Sequence, residues 1–295
     1  TPNSFYALRH LSIPVPWGEI RGKAWGPEHG HPVLCLHGWA DNCGSFNTLI
    51  PFLPKECRYV AVDMPGHGLS SHRPPGVFYS FPAYAADVRR VAESLSWTKF
   101  SIMGHSMGES QFSALYPEMV DGIIVLDVFG FVPTDPVLQH YFSSLLGKKQ
   151  QQSNKEKKRV YTYEKAVERL LAANPTLSER SIQTLLERGL TQVEGGFVFS
   201  RDLRVNFKNI ERITLEQSLE MQSLIQAPVL LILHSLEDCG IVLTHNVPDQ
   251  QTAKCCDTVV RVPGSHHVHL DNPEVVAPFI CDFLQTKVLS QQVKA

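Results

Sequence analysis

Residues 100–108 have the sequence FSIMGHSMG, an apolar run that ends in the pattern G-x-S-x-G. The run predicts a buried strand, and the pattern then lies where that strand turns into a helix. Glycines avoid steric collisions in so tight a turn, and the central serine is held in a strained conformation that projects its hydroxyl. Ser106 is therefore the candidate nucleophile.

Short apolar runs on both sides of this turn predict a mostly parallel sheet. Amphipathic stretches separate several of the runs, which is the alternation typical of α/β proteins. The runs are VLCL at 33–36, YVAV at 59–62, GIIVL at 122–126, VLLIL at 229–233 and TVVRV at 258–262.

The pattern becomes helical with polar connectors between the run at 122–126 and the run at 229–233. Thr162 and Ser178 are the expected N-caps of two amphipathic helices in this region. The sequence therefore predicts an α/β core over 1–130 and 224–295, interrupted by a helical lid or cap over 131–223.

A serine hydroxyl needs a base within hydrogen-bond reach before it can act as a nucleophile at neutral pH. The base is expected in the loop after the last predicted strand, where the sequence is GSHHVHLD at 264–271. His266 directly follows the turn and is the preferred base, with His267 and His269 as alternatives.

The acid that orients the imidazole is expected at the end of an earlier strand. Asp238, in the loop after the run at 229–233, is the preferred candidate. Asp127, which directly follows the run at 122–126, is the competing one. With Asp238 as acid, the order along the chain is Ser106, Asp238, His266, which is the order of α/β-hydrolases.

An oxyanion needs donors aimed at it, and backbone amides usually supply them. The amide of Met107 follows the nucleophile, and the amide of Trp39 follows His37-Gly38 at the end of an earlier predicted strand. These two amides are the expected oxyanion hole. Asp63, before a glycine-rich turn, is expected to brace its loop and not to act in catalysis.

Composition limits the classes of partner. The formal net charge is −2, so no global field attracts nucleic acid or anionic lipid. No apolar segment is long enough for a transmembrane helix. The seven cysteines show no zinc-like spacing with histidine, and neither a metal nor an organic cofactor is expected. Oligomeric state is not indicated.

The chain resembles the α/β-hydrolase superfamily and, more narrowly, the serine hydrolase-like proteins of animals. The superfamily motifs are LCLHGW at 34–39, DMPGHGLSS at 63–71, GHSMG at 104–108 and GSHHVHLDNPE at 264–274. The narrower resemblance is carried by VPWGEIRGKAWG at 15–26, FSALYPEMVDGIIVLD at 112–127 and FSRDLR at 199–204. It implies a hydrolase with Ser106 as nucleophile and His266 as base, in the cytoplasm or in perinuclear or peroxisome-like vesicles.

One departure from these relatives concerns the helix after the nucleophile. Relatives continue GHSMGG with a run of small residues, whereas Glu109-Ser110-Gln111 here leads straight into Phe112. The helix is about three residues short, which removes roughly 4.5 Å and rotates its apolar face by about 60°. We expect the catalytic motif to be intact on a core that is destabilised.

These observations favour a cytosolic serine hydrolase that cleaves small carboxylic esters or related acyl substrates through a covalent acyl-enzyme. The alternative is a hydrolase-like protein with little or no turnover that acts as a ligand-binding or interaction module, as the shortened helix suggests.

Overall fold

The computed structural model describes residues 9–106, 110–127, 159–206, 214–234 and 256–292. Eight strands form one sheet in the order β1-β2-β4-β3-β5-β6-β9-β10, and β7 and β8 form a separate hairpin. The strands are β1 Arg9–Val15, β2 Gly18–Trp25, β3 His31–Leu36, β4 Cys57–Val62, β5 Phe100–His105, β6 Val120–Leu126, β7 Leu190–Val193, β8 Gly196–Phe199, β9 Val229–His234 and β10 Thr258–Val262.

The sheet is parallel from β4 through β10, and β2 runs antiparallel to both of its neighbours. The register pairs Leu36 of β3 with Gly104 of β5, His105 with Leu126 of β6, and Leu126 with Ile232 of β9. The carboxyl ends of these strands are thus level, and the loops that follow them meet at one edge of the sheet. The predicted α/β-hydrolase architecture is confirmed.

Helices cover the sheet and form most of the described insertion. Eight α-helices lie in the described residues, along with a π-helical segment at Leu284–Leu289. The α-helices are α1 Phe81–Ser94, α2 Ser110–Leu115, α3 Tyr163–Ala173, α4 Glu179–Gly189, α5 Leu215–Ser223, α6 Val268–Asp271, α7 Pro273–Phe283 and α8 Ser290–Gln292.

Each face of the sheet has its own apolar core. Phe46, Tyr59 and Ile280 belong to the core on one face, and Ile102 and Phe112 to the core on the other. Alternate residues of the strands point to opposite faces, and both faces are covered, so the central strands are apolar throughout. This double burial explains why the runs in the sequence were continuous and not alternating.

Helix α2 follows the candidate nucleophile, and its described part, Ser110–Leu115, has six residues. Phe112 of this helix is buried, with its ring centroid 5.6 Å from that of Phe100 and 4.8 Å from that of Tyr116. The helix thus delivers an aromatic anchor to the core, and its predicted shortening relative to the relatives stays a prediction. Glu109, the first residue of the departure, lies outside the described residues.

Polar contacts cap the helices of the described insertion and join it to the loop after β4. The two predicted N-caps are confirmed, because Thr162 accepts from the amide of Lys165 and Ser178 accepts from the amide of Ser181. Farther on, the guanidinium of Arg188 in α4 lies 2.7 Å from the buried carboxylate of Asp63.

Among the residues that the structure describes, no helix combines the length and the apolar character needed to cross a membrane.

Candidate active site

Ser106 lies at the turn between β5 and the helix that follows. Its φ is +55°, in the left-handed region that residues other than glycine rarely adopt, and its amide donates to the carbonyl of Leu126 at 3.1 Å. The hydrogen bond continues the β5–β6 pairing into the turn, so the strained residue is fixed by the sheet. This is the backbone geometry that the G-x-S-x-G pattern predicts.

The loop after β3 passes directly beside the serine. A Cβ at Gly38 would lie 2.7 Å from Nδ1 of His105 and 3.3 Å from the Cβ of Ser106, so glycine permits this close approach. His37 holds the loop: its Nε2 accepts from the amide of Met64 at 2.9 Å, and its Nδ1 donates to the carbonyl of Gly38 at 2.8 Å. Trp39 is thereby placed next to the turn, with its indole Nε1 donating to the carbonyl of Val205 at 2.9 Å.

Asp127 lies at the end of β6, on the strand adjacent to β5. It has a φ of +80°, and its amide donates to the carbonyl of Ile232 at 2.8 Å. Its Oδ2 contacts Nδ1 of His266, which follows β10. The structure thus brings together the competing acid and the preferred base of the sequence analysis.

The other oxygen of Asp127 has a partner that the sequence analysis missed. Oδ1 contacts Nδ1 of His234, the last residue of β9, and the amide of His234 lies 3.3 Å from the same oxygen. We call Asp127, His234 and His266 the Asp127 cluster. Each carboxylate oxygen in it accepts from one imidazole.

The protonation states in the Asp127 cluster follow from these contacts. Burial would raise the pKa of Asp127, but hydrogen bonds from His234 and His266 and the charges of the two rings outweigh burial and lower the pKa well below its ordinary value. The hydrogen bond to Asp127 raises the pKa of His234. An ionised carboxylate only accepts, so Nδ1 of His266 is the donor and its Nε2 is left with the lone pair that a base requires.

A second carboxylate, that of Asp41, also faces two imidazoles. Oδ2 of Asp41 lies 3.1 Å from Nε2 of His267 and 3.5 Å from Nδ1 of His105. We call Asp41, His105 and His267 the Asp41 cluster. His269 is fully buried beside it, with its ring centroid 4.3 Å from that of His105. In either cluster the three donor atoms lie within 4.8 Å of one another, close enough to bind a metal ion.

His105 connects the two clusters. Its Nε2 lies 3.0 Å from the carbonyl oxygen of His266, and its ring centroid lies 4.6 Å from that of His266. Burial lowers the pKa of His105 to about 4, against the opposing effect of Asp41. The residue before the serine and the candidate base are thus in direct contact.

Asp63 has the bracing role that its position in the sequence predicts. Its carboxylate accepts from the amides of Cys43 and Leu69, each at 2.8 Å, and from the guanidinium of Arg188. Burial would raise the pKa of Asp63, but the hydrogen bonds and charge of Arg188 outweigh burial and lower it. This carboxylate joins the loops after β3 and β4 to helix α4.

Two of the candidate site residues lie outside the described part of the chain. They are Met107, the second expected oxyanion donor, and Asp238, the preferred acid. His234 and Asp41 were missed because a sequence does not tell which strand ends are neighbours. A faint signal existed for His234, which directly follows an apolar run, where parallel strands place ligands and catalytic groups. Asp41 lies five residues beyond the run at 33–36.

Comparisons with known proteins agree with the fold described above. The family model described as alpha/beta hydrolase fold matches residues 31–273. A zebrafish protein named serine hydrolase-like protein is 52% identical, covering 96% of this chain and 94% of the relative. Human serine hydrolase-like protein 2 is 38% identical, covering 97% of each.

A solved structure shows the same likeness in three dimensions. A hypothetical protein of Pseudomonas aeruginosa superposes with a TM-score of 0.81 at 32% identity, covering 92% of this chain and 98% of that one. The matched family model spans most of the chain, and the relatives named above align over nearly their whole length. The chain therefore belongs to the α/β-hydrolase family and is similar to the animal serine hydrolase-like proteins.

Proposed function

We propose that the protein is a serine hydrolase that cleaves small carboxylic esters or related acyl substrates through a covalent acyl-enzyme. The observation that carries the proposal is the pairing of Asp127 with Nδ1 of His266 beside a serine in the left-handed region. The names of its relatives, serine hydrolase-like proteins, support the same reaction class.

In the proposed mechanism, Ser106 Oγ attacks the acyl carbonyl while Nε2 of His266 takes the hydroxyl proton. The proton then passes to the leaving alcohol as the carbon–oxygen bond breaks, and the acyl group stays on Ser106. Water, activated by the same imidazole, attacks the acyl-enzyme and releases the acid. Asp127 holds the ring in the required tautomer and stabilises the imidazolium that forms twice in each cycle.

The proposed oxyanion hole consists of the amides of Trp39 and Met107. The close approach of Gly38 to Ser106 supports the first donor, since it places the following amide at the serine. In comparable sites one such donor contributes about 10²–10³ in rate. The second donor rests on the sequence pattern alone.

We propose Asp127, and not Asp238, as the acid. Asp127 already occupies Nδ1 of His266, and an imidazole nitrogen with one proton donates strongly to one carboxylate. Its own φ of +80° also supports this role, because strained backbone at the end of a strand is common at functional sites. Asp238 lies outside the described residues.

The helical insertion at 131–223 is proposed as a lid over the core of 1–130 and 224–295. Trp39 supports this role: its indole nitrogen is bonded to Val205 of the insertion, while its backbone lies beside the serine. The insertion would therefore form one wall of the acyl pocket and select among substrates. The cytoplasmic and vesicular locations implied by the resemblance stay predictions.

The reaction class is tested by labelling the purified chain with a fluorophosphonate probe. We expect wild type and the exposed-serine control Ser94→Ala to be phosphonylated at Ser106, and Ser106→Ala to remain unlabelled. A series of esters with increasing acyl length would then define the substrate class. A folded wild-type protein that takes up no label contradicts the proposal.

The departure from the relatives at Glu109-Ser110-Gln111 favours one alternative, a hydrolase-like protein without useful turnover. In that case the protein would bind acyl ligands without hydrolysing them. Saturable ester binding by a folded chain that shows neither labelling nor hydrolysis would favour this function.

A further inference from the structure

The Asp41 cluster has a feature that hydrogen bonding alone leaves unexplained. A carbonyl oxygen can only accept, so the 3.0 Å contact with the carbonyl of His266 requires His105 Nε2 to carry the proton. In a neutral ring the lone pair is then on Nδ1. This nitrogen is buried and has no hydrogen-bond partner in the described part of the chain.

The lone pair of His105 Nδ1 is 3.5 Å from a carboxylate oxygen of Asp41, so two acceptors face each other in a nearly dry site. Asp41 exposes 9% of its surface and His105 none. His267 donates to the same oxygen of Asp41, but none of the described residues donates to Nδ1 of His105. A cation bound between this nitrogen and the carboxylate would satisfy both acceptors.

The distances suit a small divalent ion. Ligands at 2.0–2.1 Å from a tetrahedral zinc ion are separated by about 3.4 Å. The observed separations of Asp41 Oδ2 from His267 Nε2 and from His105 Nδ1, 3.1 and 3.5 Å, bracket that value. The third pair, His105 Nδ1 and His267 Nε2, lies within 4.8 Å. Two imidazoles and one carboxylate are a donor set that zinc accepts readily.

A glycine faces the Nδ1 of His105: a Cβ at Gly38 would lie 2.7 Å from this nitrogen, so no side chain there covers it. His269 lies next to the cluster, fully buried, and neither of its ring nitrogens has a hydrogen-bond partner among the described residues. It is the nearest candidate for a fourth ligand.

We propose that Asp41, His105 and His267 form a binding site for a divalent transition-metal ion of the zinc class. On binding, the Nε2 proton that His267 now donates to Asp41 is released to solvent, a proton on Nδ1 keeps the ring neutral, and the Nε2 lone pair binds the ion. The ligands come from the loop after β3, the end of β5 and the loop after β10. An ion bound here ties these three segments together, and its binding does not depend on hydrolytic activity.

The Asp127 cluster is a weaker candidate for the same ion, although it has the same donor types. Both oxygens of Asp127 already accept from an imidazole, so no lone pairs are opposed there. An ion would have to displace two charge-assisted hydrogen bonds before it could bind. The two clusters therefore provide a matched pair for the experiment.

The test is titration of the metal-free full chain with Co²⁺ and Zn²⁺, followed by visible absorption, calorimetry and thermal unfolding. We expect one ion per chain, tetrahedral Co²⁺ bands and a higher Tm with Zn²⁺. His267→Gln, which retains a donor to Asp41, and Asp41→Asn should each weaken binding by at least about 100-fold. His234→Gln, the matched change in the Asp127 cluster, should alter affinity by less than about threefold.

Three results would overturn the proposal. They are no saturable binding by the folded wild type, unchanged affinity in both folded Asp41-cluster variants, and loss of binding in His234→Gln alone. Should the variants fail to fold, anomalous diffraction from wild-type crystals grown with Zn²⁺ decides. The ion is expected between Asp41 and His267, and a peak only beside Asp127 contradicts the assignment.

Discussion

The two clusters contain the same groups but use them in different ways. In the Asp127 cluster each carboxylate oxygen accepts from one imidazole. In the Asp41 cluster one oxygen faces both imidazoles, and one of these presents a lone pair. The first arrangement is complete without a ligand and suits a carboxylate that orients a base. The second is incomplete and suits a cation. The pattern of donors, more than the residue types, thus separates the two roles.

The largest expected effect comes from removing the charge of Asp127, the carboxylate whose two oxygens each accept from an imidazole. Asp127→Asn should lower kcat for short-chain esters by about 10⁴-fold, because an amide favours the wrong tautomer of His266 and cannot stabilise its imidazolium. The matched change Asp238→Asn should lower kcat by less than about tenfold. Steady-state kinetics on both variants, with circular dichroism to confirm folding, make the comparison.

The reverse outcome would sink the assignment of the acid. If Asp238→Asn abolishes hydrolysis and Asp127→Asn retains it, the contact between Asp127 and His266 has no role in turnover.

A third buried carboxylate, Asp63, extends the comparison to a purely structural role. Its main partner is Arg188, and both side chains are almost fully buried. Arg188→Met leaves the carboxylate buried without its counter-charge and should reduce the free energy of unfolding by about 3–5 kcal/mol. The exposed pair of Lys165 and Glu168 is the control, and Lys165→Met should change stability by less than about 0.5 kcal/mol.

The sign of the pH dependence follows from the lowered pKa of Asp63. A carboxylate whose pKa is lowered by folding contributes stability above its ordinary pKa, and the contribution is lost as pH falls through the folded value. Urea unfolding at several pH values should therefore show wild type and Arg188→Met converging in acid. Equal stability of the two at neutral pH would show that the pair adds nothing.

The smallest expected effect tests the second partner of Asp127. His234→Ala removes one donor to Oδ1 and should reduce kcat/KM by about tenfold, since the carboxylate then has more freedom to move away from His266. His234→Asn keeps a donor close to the position of Nδ1 and should restore activity to within about threefold of wild type. If both variants lose activity equally, His234 only fills space and does not position the acid.

Much of the site could be predicted from local pattern. The strained turn at Ser106, the imidazole of His266 and the bracing turn at Asp63 each depend on a few neighbouring residues, so their motifs predict them. The caps at Thr162 and Ser178 were found for the same reason. These features follow from steric and hydrogen-bonding rules that act over a few residues of chain.

The choice between acids could not be predicted, because it depends on strand order. Asp127 and Asp238 both follow apolar runs, and only the sheet brings β5, β6 and β9 side by side with the loop after β10. The partners His234 and Asp41 could not be predicted either, because their contacts also depend on strand order. The donor directions in the two clusters depend on backbone geometry at their own strand ends, which no motif records.

The most direct test of the central claim is to trap the acyl-enzyme. Wild-type protein is mixed with a short-chain activated ester, quenched in acid during turnover, digested and analysed by mass spectrometry. We predict an acyl group on the peptide that contains Ser106. His266→Ala, once it has been acylated by excess activated ester, should lose this group more slowly than wild type does. Turnover by a folded protein with no acyl group on Ser106, or with the group on another residue, would contradict the account.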